Sequence, residues 1–141
     1  MTEPQVYYMR AQGVRFDLAW YDEYRDCVCC EIDGPRESPT YTSYIAFDKR
    51  QRIIGVLVGI QKGFTWTSHG TLVRPHWRKL GVAMKLWEQM LQVEQPRSVY
   101  VTLVSDRGKT LVESLKQKYQ AVHWEVYDDG ARPLRRLKKR K

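Results

Sequence analysis

Residues 72–91 constrain the fold of this chain more than any other segment. An apolar run stops at Pro75, and a basic turn that contains Arg78 and Gly81 follows it. The next stretch, residues 84–91, places its apolar side chains at helical spacing. We therefore expect a strand, a tight turn and the start of a helix, which together indicate the α/β class.

This turn has the composition of an anion-binding site. The first turn of a helix carries N–H groups without intrahelical partners and the positive end of the helix dipole. A glycine such as Gly81 lets the backbone approach a ligand because no Cβ stands in the way. The sequence therefore predicts that a pyrophosphate binds where the turn enters the helix. The alternative is an ordinary β-to-α turn with a surface arginine.

The spacing within the turn resembles a known cofactor motif. The pattern V-x-P-x-x-R/Q-x-x-G-x-G/A of the GNAT acetyltransferase superfamily appears here as Val73-x-Pro75-x-x-Arg78-x-x-Gly81-x-Ala83. The resemblance is tight over residues 53–104 and extends elsewhere only to the order of the elements. It implies an α/β fold with a mixed, mostly antiparallel twisted sheet of six to seven strands flanked by helices.

The resemblance also implies a cofactor and residues that bind it. Acetyl-CoA would be the acyl donor, with its pantetheine arm in the gap between two diverging strands, 64–73 and 98–104. A backbone bulge at Leu72 and Val73 would point an N–H at the thioester carbonyl. Arg74, Arg78 and Lys79 would add charge near the phosphates, or would be solvated surface side chains. The backbone N–H groups around the pyrophosphate would be those of Arg78, Lys79, Leu80, Gly81, Val82 and Ala83.

Acetyl transfer to an amine needs a base and an acid. The strand before the motif has no carboxylate, but it carries His69, whose ordinary pKa near 6.5 suits a base. The alternative for His69 is a structural hydrogen-bonding role. Relatives supply the acid from a tyrosine on the helix after the fifth strand. Here that position falls near Ser114, and Tyr119 lies one turn later as a weak substitute.

Apolar periodicity and turn residues predict the remaining elements. The expected order is β-α-β-β-β-α-β-α-β-β. The strands are expected at 6–10, 41–48, 53–61, 64–73, 98–104, 121–127 and 132–137, and the helices at 15–31, 82–94 and 108–119. Residues 33–39, rich in Gly, Pro and Ser, are expected to form a loop that borders the substrate.

Composition excludes several classes of protein. The chain has 141 residues, of which 43% are hydrophobic and 28% charged, as in globular domains. It has no long apolar run and does not start like a signal peptide, so we expect no membrane association and a cytoplasmic location. The three cysteines, Cys27, Cys29 and Cys30, lack a second ligand pair nearby, so we expect reduced thiols and no metal site.

The charge of the chain is concentrated at its end. Residues 132–141 carry seven cations and no acid, and subtracting these seven from the net charge of +8 leaves +1. We therefore divide the chain into a GNAT-like domain, 1–131, and a basic tail, 132–141, whose first residues are a candidate last strand. The tail could bind nucleic acid or an acidic protein, or be a solvated terminus.

Two functions follow from these observations. The first is an N-acetyltransferase in which a primary amine attacks acetyl-CoA directly in a ternary complex. The second is a non-catalytic module of the same fold that uses its tail to hold a partner, an alternative favoured by the missing tyrosine. The acceptor classes left open are a protein N-terminus, lysine, polyamine, aminoglycoside and aminoacyl-tRNA. A homodimer is also open, because dimers are common among similar proteins.

Overall fold

The structure, a computed structural model, describes residues 5–19, 31–102 and 106–127. These residues form one six-stranded sheet with two helices. The strands are β1 Tyr7–Ala19, β2 Glu31–Phe47, β3 Ile53–Lys62, β4 Thr65–Val73, β5 Ser98–Thr102 and β6 His123–Tyr127. The helices are α1 Val82–Glu94 and α2 Asp106–Lys118, and a 3₁₀ turn spans Pro75–Leu80.

The strands lie in the sheet in sequence order. The first four form an antiparallel meander, and the last two are parallel to β4 and to each other. Parallel neighbours need crossover connections, which α1 and α2 supply. The two crossovers have the same hand and step across the sheet in the same direction, so both helices lie on one face of the sheet. The ion pair between Lys118 of α2 and Glu88 of α1 agrees with this placement. The predicted mixed, mostly antiparallel sheet is thus confirmed.

The sheet buries side chains on both faces, which we call the helix face and the opposite face. The helix face packs Tyr44, Trp66 and Val99 of the strands against Leu86 of α1 and Leu115 of α2. The opposite face buries a smaller cluster: Phe16, Ile32, Ile45, Val56, Val58 and Leu72. Alternation along a strand sends successive side chains to these two faces.

The helix predicted for residues 15–31 is wrong at both of its ends. Strand β1 continues to Ala19 and β2 begins at Glu31, while residues 20–30 lie outside the described part of the chain. Val14 and Phe16 pack on the opposite face, and the register pairs β1 with β2 as far as Ala19. The segment thus follows the two-residue period of a strand, although its apolar residues also fit a helical spacing.

The loop predicted for residues 33–39 is also wrong, because β2 runs through this segment. Pro35 lies opposite Phe16 of β1, while the pairing of β2 with β3 begins only at Thr42. Residues 31–41 are therefore paired on one side only within the described structure. Proline is tolerated in a strand when it lies at such an edge, since the missing N–H then breaks no ladder.

The strands predicted at 6–10 and 41–48 exist but are much longer in the structure, whereas the two later helices and the strands predicted at 53–61, 64–73 and 121–127 agree with it within two residues at each end. Helix α1 has the predicted bounds, and Gln95 closes it by donating its N–H to the Leu91 carbonyl at 3.1 Å. Pro96 follows at once and cannot extend the helix. The strand predicted at 132–137 lies outside the described residues. Within those residues, no helix has the length and apolar character needed to cross a bilayer.

Candidate functional site

A wedge opens in the sheet between β4 and β5. Within the described residues, the β4–β5 ladder has only three rungs, Thr65–Ser98, Trp66–Val99 and Thr67–Tyr100. Beyond them β4 pairs only with β3, and the end of β5 pairs only with β6. In the described part of the chain, the two strands therefore stop pairing with each other toward their carboxyl ends. In α/β sheets ligands bind at such carboxyl-end openings.

The basic turn lies at the open end of this wedge, since it directly follows β4. Two arginine side chains hold it in place. Arg74 Nε donates to the Ile53 carbonyl at 2.7 Å, and Arg78 Nε donates to the Val73 carbonyl at 2.8 Å. The Trp77 N–H also closes the turn onto the Arg74 carbonyl at 2.8 Å. Arg78 therefore fixes the turn to the end of β4 while its positive charge stays beside the turn.

Helix α1 begins at this turn with an exposed and uncompensated positive end. Gly81, with φ of 77°, takes the left-handed conformation that glycine adopts at little cost. No side chain caps the first turn of α1, and no acidic residue lies in it. A Cβ added at Gly81 would meet nothing within 4 Å, so the space above the glycine is open. The first-turn N–H groups can therefore donate hydrogen bonds to a bulky anion.

The predicted cofactor-binding residues differ in how far their side chains are buried. Leu72, Val73 and Val82 have buried side chains, so only their backbone groups are available to a ligand. Lys79, Leu80 and Gly81 are exposed at the mouth of the wedge, and Arg74, Arg78 and Ala83 are half-buried. All nine positions thus belong to one continuous stretch, from the end of β4 to the first turn of α1.

The backbone bulge predicted at Leu72 and Val73 is wrong in its position. Those two residues pair regularly with Val56 and Gly55 of β3. The register shift lies earlier, between the Val58–Gly70 and Gly59–Ser68 pairs, so His69 is the extra residue. A bulge changes the direction of the backbone and of its side chain. Here that change occurs close to the last rung of the β4–β5 ladder.

His69 itself is exposed at the edge of the opposite face. Its ring meets the Tyr41 ring edge-on, with centroids 5.1 Å apart, and the Arg15 guanidinium lies 5.0 Å from the Tyr41 centroid. Partial burial, and then the charge of Arg15, lower the pKa of His69 below its ordinary 6.5. Burial and a nearby cation both disfavour the imidazolium. His69 is therefore neutral at pH 7 and able to accept a proton.

The structure does not bring Ser114 or Tyr119 to the wedge. Helix α2 starts after the carboxyl end of β5 and runs back to the start of β6, so its 13 residues span about 20 Å. Ser114 is exposed on its second half. Tyr119 follows the helix, packs against the helix-face core, and accepts the Trp124 indole N–H at its carbonyl. Both residues lie toward the end of α2 that is remote from the wedge.

Three side-chain hydrogen bonds that sequence reasoning missed hold α1 against the sheet. Trp87 Nε1 donates to Thr71 Oγ1 at 3.0 Å, which fixes the middle of α1 beside β4. At the far end Glu94, with its side chain 8% exposed, accepts from Tyr44 Oη at 2.6 Å and from Arg10 Nε at 2.7 Å. Burial and this contact with Glu94 raise the pKa of Tyr44. The sequence signal was weak, because the two partners of Glu94 lie 50 and 84 residues away.

The described residues contain no group of three or more His, Cys, Asp or Glu side chains placed to hold a metal ion. The three predicted thiols, Cys27, Cys29 and Cys30, lie outside those residues.

The chain matches no protein-family model, and no curated protein matches it. Several solved structures are similar to it. The ribosomal-protein-S18-alanine N-acetyltransferase from Escherichia coli has a TM-score of 0.47 and 15% identity, over 56% of this chain and 54% of that one.

Two further solved structures are similar to the chain. Nourseothricin acetyltransferase has a TM-score of 0.41 and 14% identity, over 64% of this chain and 66% of that one. A putative streptothricin acetyltransferase from Bacillus anthracis, in complex with acetyl coenzyme A, has a TM-score of 0.41 and 18% identity, with the same coverages. The matched region thus spans between about half and two thirds of the solved chains.

Proposed function

We propose that this protein is an N-acetyltransferase that uses acetyl-CoA as acyl donor and a primary amine as acceptor. The observation that carries the proposal is the β4–β5 wedge, with the basic turn and the start of α1 at its open end. This arrangement offers an extended ligand two kinds of site at once. It has unpaired strand edges for an amide-containing arm, and an uncapped helix start for a pyrophosphate.

The shape of the site matches the chemistry of CoA. The pantetheine arm carries amide groups that can pair with the β4 backbone near Leu72 and Val73 as an added strand would. The pyrophosphate would sit on the N–H groups from Arg78 to Ala83, above the open space at Gly81. Lys79 is exposed there and adds a charge, while Arg78 stays attached to the Val73 carbonyl. The thioester would then lie deep in the wedge, near the last β4–β5 rung.

Bound acetyl-CoA would supply an activated acyl group, and the residues around the wedge would supply the proton chemistry. In direct transfer the amine nitrogen bonds to the carbonyl carbon, the C–S bond breaks, and the nitrogen loses a proton. His69 is neutral at pH 7 and partly exposed, so it can take this proton directly or through water. The unpaired position that the bulge at His69 introduces would let a backbone N–H of β4 stabilise the developing oxyanion.

Acetyl-CoA binding provides the first test. A ligand at about 100 times its Kd stabilises the folded state by about 2.7 kcal/mol. For a domain of this size we expect a rise in Tm of roughly 5–12 °C. The parent chain should show this rise with acetyl-CoA, and no shift at millimolar acetyl-CoA would refute the proposal.

A matched pair of variants locates the pyrophosphate. Gly81→Asn and Gly81→Asp have side chains of almost the same size, and both tolerate the left-handed conformation better than other non-glycine residues. They differ by one negative charge. We expect Gly81→Asp to lose most of the thermal shift because its carboxylate repels the pyrophosphate, and Gly81→Asn to keep more of it. Equal loss in both variants would mean that bulk, and not phosphate charge, limits binding at Gly81.

A further inference from the structure

The proton donor for the departing thiolate has no candidate among the predicted residues, since Ser114 and Tyr119 lie toward the remote end of α2. A donor must lie where the sulfur would be, at the closed end of the wedge. The last rung of the β4–β5 ladder, Thr67–Tyr100, marks that point. Tyr100 is therefore the tyrosine nearest to the apex along the backbone of either strand.

The side chain of Tyr100 is also on the correct face. Its neighbours Val99 and Val101 are buried in the helix-face core, so alternation directs Tyr100 to the opposite face. The side chain is 42% exposed there. The His69 ring contacts Tyr41, which packs on that same face. A base on β4 and a hydroxyl on β5 thus flank the apex on the side away from both helices.

The spacing suits one reacting group between the two side chains. Adjacent strands are about 4.8 Å apart at a paired rung, and a strand rises about 3.3 Å per residue. His69 lies two residues beyond Thr67, so its Cα is at most about 6–7 Å farther along β4, because the bulge at His69 shortens the advance of the strand. An amine that approaches from the opposite face could therefore meet His69 while the sulfur lies beside Tyr100.

We propose that Tyr100 is the general acid of the transfer, donating its hydroxyl proton to the CoA sulfur. As the C–S bond breaks, its electron pair goes to sulfur, which takes the Tyr100 proton. The proton lost by the amine goes to His69, and water on the exposed face returns a proton to Tyr100. This inference rests on the proposed acetyltransferase function, and it identifies the face opposite the helices as the acceptor side.

A tethering experiment tests the position of Tyr100. In the variant Tyr100→Cys, the introduced thiolate attacks one sulfur of CoA disulfide, a mixed disulfide forms, and CoA thiolate leaves. The control is Tyr127→Cys, because Tyr127 is a comparably exposed tyrosine at the end of β6. We expect position 100 to be labelled at least tenfold faster than position 127. Peptide mapping by mass spectrometry separates this label from any on Cys27, Cys29 and Cys30.

A second measurement tests proton donation itself. A hydroxyl that donates to a thiolate stabilises the charged form, so it lowers the thiol pKa of bound CoA. Tyr100→Phe should therefore raise that pKa, followed by the ultraviolet absorbance of the thiolate, and Tyr127→Phe should leave it unchanged. The other titratable groups nearby are His69 on β4, the His123–Glu125 pair on β6, and Tyr127, whose hydroxyl donates to Glu125 at 3.2 Å. His69, His123 and Glu125 stay in both variants, and the control Tyr127→Phe removes the hydrogen bond from Tyr127 to Glu125.

The outcomes separate this inference from the proposed function. If the parent chain shows no thermal shift with acetyl-CoA, the acetyltransferase proposal fails first. If the parent binds acetyl-CoA but labelling at 100 and 127 is equal, Tyr100 is not at the sulfur and the inference is overturned. If labelling is selective but Tyr100→Phe leaves the thiol pKa unchanged, Tyr100 lines the site without donating a proton, and the inference is equally overturned.

Discussion

Gly59 of β3 leaves no room for an added methyl group, which predicts the effect of replacing it with alanine. A Cβ built on Gly59 of β3 would lie 2.4 Å from Cζ2 and 2.6 Å from Cε2 of Trp66, and 2.7 Å from the Thr67 carbonyl oxygen. Carbon atoms pack best at about 3.5–4.0 Å, so Gly59→Ala requires a movement of roughly 1 Å. Trp66 is fully buried in the helix-face core and cannot yield freely.

The cost of this variant follows from overpacking. Extra groups forced into a packed core cost about 1–3 kcal/mol, so we expect Gly59→Ala to lower Tm by roughly 2–12 °C in calorimetry. Gly34→Ala is the matched control, because a Cβ at Gly34 meets nothing within 4 Å. Gly34→Ala should change the free energy of unfolding by less than about 1 kcal/mol. The change should be stabilising if the backbone at Gly34 suits alanine.

A double-mutant cycle identifies the partner. Trp66→Phe removes the indole atoms nearest to the new methyl, so Gly59→Ala should cost less in that background than in the parent. We expect a coupling energy of about 0.5–3 kcal/mol. If Gly59→Ala melts within about 1 °C of the parent, the Trp66 ring does not cover Gly59. The β3–β4 register that sets the wedge apex would then be incorrect.

Two further predictions concern His69 and the tail. The pKa of His69 should lie below 6.5 in an NMR titration, in which the variant His69→Gln assigns the signal. Arg15→Gln should raise this pKa, because it removes a nearby positive charge. An unchanged pKa in Arg15→Gln would show that Arg15 is not a cause of the shift. Residues 132–141 lie outside the described structure. If they bind duplex nucleic acid, the logarithm of the binding constant should fall with the logarithm of the salt concentration. The slope should become shallower by up to about 0.9 for each cation removed when Lys138, Lys139, Arg140 and Lys141 are neutralised. That variant should keep its thermal shift with acetyl-CoA, and a parent that binds no nucleic acid at low salt would exclude the binding-module alternative.

The sequence predicted those elements whose signals are local. Helix α1 has a glycine before it, a proline after it and one apolar stripe, and its bounds were predicted correctly. Strands β3 and β4 were predicted within one residue at each end, because buried β-branched and aromatic runs leave few alternatives. The mixed sheet followed from the alternation of such strands with helices in the second half of the chain.

The errors arose where pairing partners decide the structure. Phe16 and its neighbours fit both a helical and a strand period, and only the partner strand β2 resolves them. Pro35 and Gly34 indicate a loop by composition, yet an edge position lets a strand continue through both. The bulge at His69 depends on the register between β3 and β4, which no single strand encodes. The same holds for Tyr100, because its place at the wedge apex depends on where the β4–β5 ladder stops.

The attachment of α1 at both ends has a consequence for ligand affinity. Arg78 ties the entry of the helix to β4, and Glu94 ties its exit to Arg10 and Tyr44 on the first two strands. Ordering a mobile segment on binding subtracts from the affinity that the contacts could provide. Because α1 is already fixed, an anion at its first turn finds the N–H groups in place, and little conformational entropy is lost. If the proposed phosphate site is correct, we expect Glu94, at the far end of the helix, to contribute to phosphate affinity by keeping the site rigid before the ligand arrives.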